Sequence, residues 1–323
     1  MKIVVLDGYA LNPGDLSWKS LETLGDVTIY ERTEPDQLIE HAHEAEVLLV
    51  NKIKFRKTHF EALPNLKYIG VLATGYNVID LEAADAHGVV VTNIPTYGTE
   101  AVAQFVFAHL LEICHHIPLH SKSVKAGKWS THADFCYWEK PLIELYGKTM
   151  GIVGGGRIGM KTAEIALAFG MTVKLYTRTP DPSKQTDRLS FCSLDDLLYD
   201  ADVISLHLPL TQTTRGIIDA EAFKKMKDGV ILINTARGPL IDETALVQAL
   251  RSGKVFAAGL DVLSKEPPKP DTDLFQFETV NITPHIAWAP KETRARLLNL
   301  AVENVRHFIL GTPINQVNGG VSW

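Results

Sequence analysis

Three side chains that could move a proton and bind a carboxylate follow apolar runs in the second half of the chain. Arg237 follows ILINTA, Glu266 follows VFAAGLDV, and His285 ends VNITPH. An arginine can hold a carboxylate through two parallel hydrogen bonds and polarise the adjacent carbonyl. A histidine can exchange one proton with an alcohol or a ketone near neutral pH, and a paired glutamate would raise its pKa. The three residue types together predict proton transfer to or from a carbonyl that lies beside a carboxylate.

Each of these residues has a second interpretation when it is taken alone. Arg237 could cap a helix, Glu266 could be a solvated loop acid, and His285 could be a buried histidine with satisfied hydrogen bonds. However, ligands of α/β proteins bind at the carboxyl ends of parallel strands. Because all three residues follow predicted strands, the catalytic interpretation is favoured.

A glycine-rich segment predicts a dinucleotide site in the same half of the chain. GGGRIG at 154–159 follows the apolar run MGIV and opens the helical pattern RIGMKTAEIALAF, which is the context that such a motif requires. Gly154 would permit the tight turn, Gly156 would let the backbone approach a pyrophosphate, and Gly159 would let helix and strand pack closely. The N-terminus of the helix would present its N–H groups to the phosphates.

The next strand, in LYTRTP (175–180), lacks the acid that usually binds the adenosine ribose of NAD. Thr177 stands at that strand end, 23 residues after Gly154, and Arg178 follows it. An arginine is suited to the 2′-phosphate of NADP, whereas Asp181 could supply an acid through a longer loop. The sequence favours NADP over NAD and leaves the use of both cofactors open.

The elements that would position these residues read as two sets of strands alternating with helices. The first set of predicted strands is 2–7, 27–31, 47–51, 66–73 and 89–93, and the second has six members at 148–154, 172–177, 202–209, 229–236, 255–262 and 280–286. Continuous apolar strands separated by helices indicate parallel sheets that are covered on both faces. The sequence therefore predicts an α/β protein with two doubly wound parallel sheets.

The chain length favours two domains, because 323 residues exceed the usual limit of one hydrophobic core. A last predicted helix at 291–309 comes too late to belong to the second sheet, so we expect the chain to return to the first domain. The predicted substrate domain is 1–98 with 288–323, and the dinucleotide-binding domain is 99–287. Within it, the apolar helix 99–117 and the aromatic arm that follows, up to 147, must pack against other protein or another subunit.

Composition excludes several classes of partner. The net charge of −6 gives no basic surface for nucleic acid or anionic membranes, and no run approaches the roughly 20 apolar residues of a membrane span. The N-terminus has no signal-peptide pattern, and three widely spaced cysteines argue against a disulfide framework. A cytoplasmic protein with free thiols is expected. His109, His115, His116 and His120 lie in a largely apolar helical segment, and no metal site is predicted.

Over essentially its whole length the chain resembles the D-isomer-specific 2-hydroxyacid dehydrogenases. The motifs that carry the resemblance are VLATGYNVID (71–80), GGGRIG (154–159), LHLPLTQTTRGII (206–218), NTARGPLID (234–242), GLDVLSKEP (259–267) and NITPHIAWA (281–289). LDGYALNPGDLSW and PHIAWA make it most similar to the glycerate dehydrogenase (hydroxypyruvate reductase) branch. The resemblance implies a Rossmann-type cofactor domain inserted into a split flavodoxin-like substrate domain.

The resemblance also implies roles for individual residues. Arg237, Glu266 and His285 would be catalytic, and the backbone amides of Ala73, Thr74 and Gly75 would bind the substrate carboxylate, with Lys52 a weaker candidate. Asp261 would accept from the nicotinamide carboxamide. The residues that match cofactor positions in the family are Gly154, Gly156, Arg157, Ile158, Gly159, Thr177, Arg178, Leu208, Pro209, Thr214, Thr235, Ala236, Asp261 and Ala287.

The family forms dimers through a long helix and an arm, which implies a homodimer through 99–147. Trp138 matches a tryptophan that enters the neighbouring active site in some relatives, and Trp288 could shape the pocket; both could also be packing residues. The expected reaction is hydride transfer between a nicotinamide cofactor and a small D-2-hydroxy or 2-keto acid, with D-glycerate and hydroxypyruvate, and also glyoxylate, favoured. The same chemistry on another 2-keto acid and a cofactor-sensing corepressor remain alternatives.

Overall fold

A computed structural model describes residues 1–319 of the chain. These residues divide into two compact units, one formed by residues 1–98 together with the chain from Trp288 onward, and one formed by Thr99–Ala287. Residues 320–323, which the predicted substrate domain includes, lie outside the described residues.

The first unit is built on a five-stranded parallel sheet. Its strands are β1 (Lys2–Val5), β2 (Asp26–Ile29), β3 (Val47–Val50), β4 (Tyr68–Val71) and β5 (Val90–Thr92), and its helices are α1 (Lys19–Glu22), α2 (Leu38–Ala42), α3 (Lys57–Ala62), α4 (Leu81–Ala86) and, from the end of the chain, α11 (Lys291–Ile309). The strand order is β2-β1-β3-β4-β5, and every pairing is parallel. This is the flavodoxin-like order, which confirms that part of the predicted fold.

Alternate residues of the central strands explain why both faces of this sheet are covered. Val4 and Leu48 pack in a cluster with α2, α3 and α4, whereas Val5 and Leu49 pack in a second cluster with α11. Side chains point alternately to the two faces of a strand, so a strand that is apolar at every position needs a hydrophobic layer on each side.

The second unit contains a seven-stranded parallel sheet. Its strands are β6 (Thr149–Val153), β7 (Thr172–Tyr176), β8 (Leu189–Phe191), β9 (Val203–Leu206), β10 (Val230–Asn234), β11 (Val255–Leu260) and β12 (Val280–Ile282), and its helices are α5 (Thr99–His115), α6 (Ile117–Lys125), α7 (Arg157–Ala168), α8 (Leu194–Asp200), α9 (Ala220–Lys225) and α10 (Glu243–Arg251). The order is β12-β11-β10-β9-β6-β7-β8. Together with the flavodoxin-like sheet, this doubly wound sheet confirms the predicted fold class.

The predicted count of six strands in the second sheet is wrong. The additional strand, β8, has three residues and pairs only with β7, at the edge of the sheet. It follows the polar segment 181–188, so it lacks the long apolar run by which the other strands are recognised. An edge strand needs only one neighbour, and its short hydrophobic signal is correspondingly weak.

The long helix α5 covers one face of the second sheet. Val106, Phe107 and Leu110 pack in a cluster with Met150 and Ile152 of β6. The helix ends at His115, two residues earlier than predicted, because His116 adopts a left-handed conformation with φ of 49°. Within residues 1–319 no single helix is long and apolar enough to cross a membrane. Only α5 and α6 taken together, with a bend of 51° between them, have that length and composition.

Candidate active site

The glycine-rich turn between β6 and α7 requires glycine at two positions and leaves open space at a third. Gly154 has φ of +118°, and a Cβ there would lie 2.7 Å from the backbone carbonyl of His207. A Cβ on Gly159 would lie 1.9 Å from the Gly154 oxygen, so only glycine lets the helix approach the turn. Gly156 is the N-cap of α7, and a Cβ there would have no atom within 4 Å. The turn therefore leaves open space in front of the N-terminus of a helix of 12 residues, which suits a phosphate.

Gly155, which the sequence analysis did not assign, connects this turn to the end of β7. A Cβ on Gly155 would lie 2.8 Å from Leu175 Cδ2 and 3.0 Å from Thr177 Cβ. Thr177 therefore packs against the turn, and Arg178, which follows it, is exposed. The signal that could have identified Gly155 is the uninterrupted run of three glycines, of which it is the middle one.

Asp181, the alternative ribose-binding acid, is engaged within its own turn. Its Oδ1 accepts from the Ser183 N–H (3.1 Å) and hydroxyl (2.6 Å), and its Oδ2 lies 3.6 Å from Lys184 Nζ. These contacts lower the pKa of the Asp181 carboxyl, the Ser183 hydrogen bond being the largest cause. The carboxylate that could have replaced the missing acid is thus used to cap the short 3-10 helix Pro182–Lys184.

Several residues of the predicted cofactor site lie after β9 and β10. Leu208 is half-buried and Pro209 is exposed, and the carbonyl of Pro209 accepts from the Thr214 hydroxyl (2.6 Å). Thr235 is buried, and within residues 1–319 its Oγ1 is a buried side-chain oxygen with no hydrogen-bond partner. An orphaned buried hydroxyl is costly unless a ligand satisfies it. Together with the open turn at Gly156, it shows that the residues present fit a dinucleotide.

Asn234, which the sequence analysis did not single out, organises the turn that carries Arg237. Its Nδ2 donates to the Arg237 carbonyl (2.9 Å), and its Oδ1 accepts from the Ala236 N–H (3.0 Å). Arg237 is half-buried, and its Nη1 donates to the Ala236 carbonyl (2.7 Å). A Cβ on Gly238 would lie 1.9 Å from the Leu263 backbone. The turn of Arg237 and the segment that leads to Glu266 are therefore in close backbone contact.

His285 and Glu266 form a direct pair. His285 Nδ1 lies 2.7 Å from Glu266 Oε2, and Glu266 Oε1 accepts from the Leu263 N–H (3.2 Å). Since the carboxylate can only accept, the imidazole carries its proton at Nδ1 towards Glu266. Proton exchange with a substrate would then use Nε2, the other ring nitrogen.

Asp261 is 1% exposed and organises the segment that holds His285. Its Oδ1 accepts from the Thr283 hydroxyl (2.7 Å) and the Ile286 N–H (2.8 Å), and its Oδ2 accepts from the Ala287 N–H (2.9 Å). Asp261 and Ala287 are both predicted cofactor residues, and they are hydrogen-bonded to each other. The structure adds a role in loop organisation to the predicted carboxamide contact.

In the first unit, the candidate substrate residues follow β3 and β4. Asp7, which the sequence analysis did not assign, accepts from the backbone N–H groups of Asn51 and Lys52, each at 2.8 Å. Burial raises the pKa of the Asp7 carboxyl, although these hydrogen bonds oppose the shift. Thr74 donates through its hydroxyl to Ile94 (2.8 Å), and its carbonyl accepts from Asn93 (2.7 Å). Ala73 and Gly75 on either side are half-buried.

The remaining predicted site residues lie at the start of α7, in the arm and beside Tyr97. Arg157 is the exposed first residue of α7 and Ile158, next to it, is half-buried. Trp138 lies in the arm and is 67% exposed. Trp288 packs edge-on against Tyr97, with 6.4 Å between ring centroids. Among residues 1–319, no three histidine, cysteine or acidic residues are grouped so that they could hold a metal ion.

Comparison with known proteins identifies relatives of the whole chain. The family model of the D-isomer specific 2-hydroxyacid dehydrogenase NAD binding domain matches residues 107–287. A hydroxypyruvate reductase from Blautia hydrogenotrophica is 52% identical over 321 residues, which cover 98% of this chain and 100% of that protein. A glycerate dehydrogenase from Methylorubrum extorquens is 38% identical, with 98% of each chain covered. The solved structure of the TT0316 protein from Thermus thermophilus is 37% identical, with a TM-score of 0.85, and 98% of this chain and 100% of that one are covered.

Proposed function

The chain belongs to the D-isomer-specific 2-hydroxyacid dehydrogenases, and we propose that its substrate pair is hydroxypyruvate and D-glycerate, with glyoxylate as a second 2-keto acid. The family makes it an oxidoreductase that transfers hydride between a nicotinamide cofactor and a 2-hydroxy or 2-keto acid. The proposal for hydroxypyruvate is supported by the relative from Blautia hydrogenotrophica, which matches along its full length.

The observation that carries the proposed mechanism is the 2.7 Å contact between His285 Nδ1 and Glu266 Oε2. A bound nicotinamide supplies the hydride. Glu266 orients the imidazole through Nδ1, so that His285 Nε2 donates a proton to the keto oxygen. The Arg237 guanidinium binds the substrate carboxylate and the keto oxygen, which stabilises the negative charge that develops on that oxygen. In the oxidation direction His285 receives the proton back.

Further residues of both units would bind the substrate carboxylate and the dinucleotide. The backbone amides of Ala73, Thr74 and Gly75 would bind the carboxylate, and the Asp7 carboxylate would hold the backbone from which Lys52 projects. On the cofactor side, the turn 154–159, the wall of Leu208, Pro209 and Thr214, and the Thr235 hydroxyl would bind the dinucleotide. A cofactor-sensing corepressor is not favoured, because the comparisons that cover the whole chain are with enzymes.

We further propose a cytoplasmic homodimer formed through 99–147. Large apolar side chains of this segment are exposed within one chain, among them Ile117 (63%), Phe135 (88%), Trp138 (67%) and Tyr146 (75%). Large exposed apolar side chains concentrated in one segment are expected at an interface. Trp138 would then contact the partner subunit, where it could reach the substrate site.

We propose NADP as the preferred cofactor, with NAD also used. Thr177 packs against the glycine turn and puts no negative charge there, Arg178 beside it is exposed, and Asp181 is engaged with Ser183 and Lys184. A ribose 2′-phosphate would meet the Arg178 guanidinium, and the first carboxylate after it in the chain, Asp181, is engaged by Ser183 and Lys184.

Replacing Arg178 with Ala is expected to raise KM for NADPH about tenfold, since one charge-assisted contact contributes about 1.5 kcal/mol or more. KM for NADH should change little, because NADH has no 2′-phosphate. Steady-state kinetics with both cofactors measure this, and NADH serves as the internal control. An equal change in both KM values would show that Arg178 does not select the cofactor.

The proposed function is tested by initial rates for NADH and NADPH against hydroxypyruvate, glyoxylate, pyruvate and a bulkier 2-keto acid. We expect the highest kcat/KM for hydroxypyruvate, measurable turnover of glyoxylate, and a preference for NADPH. A higher kcat/KM for a bulkier keto acid would replace the proposed substrate, and no turnover of any keto acid would contradict the enzymatic function.

A further inference from the structure

His109, in the middle of α5, lies against strand β11 of the sheet, close to the segment that carries His285. It is 5% exposed, and a Cβ on Gly259 of β11 would lie only 2.7 Å from His109 Cβ. Glycine at position 259 is therefore what allows a histidine to lie on the strand. The ring of Phe105 packs edge-on against the imidazole, with 5.2 Å between centroids. A buried polar ring in such a position requires a hydrogen-bond partner.

The partner of His109 is the hydroxyl of Thr283. His109 Nε2 lies 3.1 Å from Thr283 Oγ1, across 174 residues of sequence. The same hydroxyl donates to Asp261 Oδ1 at 2.7 Å. A hydroxyl has one proton to donate, so Oγ1 accepts from the imidazole, which carries its proton at Nε2. Burial lowers the pKa of His109, opposed by the Asp261 charge, which is consistent with a neutral imidazole.

The chain of hydrogen bonds ends at the backbone of the catalytic histidine. The Asp261 carboxylate accepts from the N–H groups of Ile286 and Ala287, and the His285 N–H donates to the carbonyls of Asp261 and Thr283, both at 2.9 Å. His285 itself has φ of 55°, a left-handed conformation that is unfavourable for a residue other than glycine unless its surroundings hold it.

We propose that His109 is a positioning residue for His285. Its Nε2–H orients the Thr283 hydroxyl, which in turn fixes the Asp261 carboxylate. That carboxylate holds the backbone of residues 286 and 287 and so keeps His285 in its left-handed conformation. The inference rests on the proposed function, in which His285 donates the proton to the substrate. A packing histidine would need only its shape, whereas the positioning role needs a donor at Nε2.

Two matched pairs of variants separate these roles. His109→Leu and Thr283→Val remove the hydrogen bonds while keeping much of the side-chain volume. His109→Gln and Thr283→Ser keep a donor and a hydroxyl at the same places. We expect the first pair to lower kcat for hydroxypyruvate about tenfold, since small displacements of a catalytic group are costly, with KM for the cofactor little changed. The conservative variants should retain most of kcat.

The double variant H109L/T283V should lose no more than either single variant, because both remove the same chain of hydrogen bonds. Additive losses, or equal losses in H109L and H109Q, would overturn the positioning role, as would unchanged kcat in both H109L and T283V. If either H109L or T283V fails to fold, the kcat of the other variant tests the positioning role.

Amide hydrogen exchange of the segment around residues 285–287 gives a readout that does not depend on turnover. It should be faster in H109L and T283V and unchanged in H109Q and T283S. Unchanged exchange in H109L and T283V would overturn the inference. If the unaltered protein reduces no keto acid, the proposed function fails, and the exchange data still show whether His109 holds this segment.

Discussion

Replacing His285 with Ala is expected to lower kcat for hydroxypyruvate by about 10³-fold, within the range that general acid–base catalysis contributes. The variant loses the group that Glu266 orients to give a proton to the keto oxygen. The backbone at position 285, with φ of 55°, is still held by its N–H hydrogen bonds to the carbonyls of Asp261 and Thr283. We therefore expect a folded protein that binds cofactor and turns over very slowly. Steady-state rates, together with a fluorescence titration of NADPH binding, measure both properties.

Glu266→Gln is the companion variant, because the amide keeps the size of the side chain but removes its charge. We expect about a 10²-fold loss of kcat, smaller than for H285A, since the imidazole remains. His43→Ala serves as the control, since His43 is an exposed histidine at the end of α2. Turnover by H285A close to that of the unaltered protein would contradict the assignment of the proton donor.

Replacing Arg237 with Lys is expected to lower kcat/KM for hydroxypyruvate by about 10²-fold to 10³-fold. A lysine keeps the positive charge but offers no planar pair of donors for the carboxylate and keto oxygen. It also cannot reproduce the Nη1 contact to the Ala236 carbonyl (2.7 Å) without redirecting its single ammonium group. Because the contact with the keto oxygen strengthens as charge develops there, kcat should fall as well as KM rise.

The control for R237K is Arg251→Lys, in which the same exchange is made at the exposed end of α10, where Arg251 pairs with Asp273 at 3.4 Å. That variant should keep its kcat/KM. A loss in R237K confined to KM would show that Arg237 binds the substrate without stabilising the transition state. Equal activity of R237K and the unaltered protein would remove Arg237 from the site.

The fold could be predicted from the sequence because its central strands are apolar at nearly every position. Runs such as VLLV in β3 and VILIN in β10 are buried throughout, a pattern that only a sheet covered on both faces produces. The edge strand β8 was missed for the same reason, since its LSF segment is only partly buried. Local pattern therefore identifies the central strands and the edge strands β2, β5 and β12, but it misses β8.

The candidate site could be predicted only as far as each residue follows a strand or lies in a motif. Arg237, Glu266 and His285 are found in this way, whereas the contact between His285 and Glu266 is seen only in the folded chain. Asn234 and Gly155 lie inside quoted motifs, but their roles depend on tertiary contacts. His109 shows the limit most clearly, because its partner Thr283 is 174 residues away and nothing near it in the sequence indicates that hydrogen bond.

The central claim is that the chain reduces hydroxypyruvate to the D-isomer of glycerate, with His285 as the proton donor. The most direct test is to incubate the protein with hydroxypyruvate and NADPH, and then with NADH, and to separate the glycerate enantiomers formed. One hydride and one proton are added per keto acid, so D-glycerate should form in the same molar amount as cofactor is oxidised. Formation of L-glycerate, or no cofactor oxidation with either NADPH or NADH, would contradict the account.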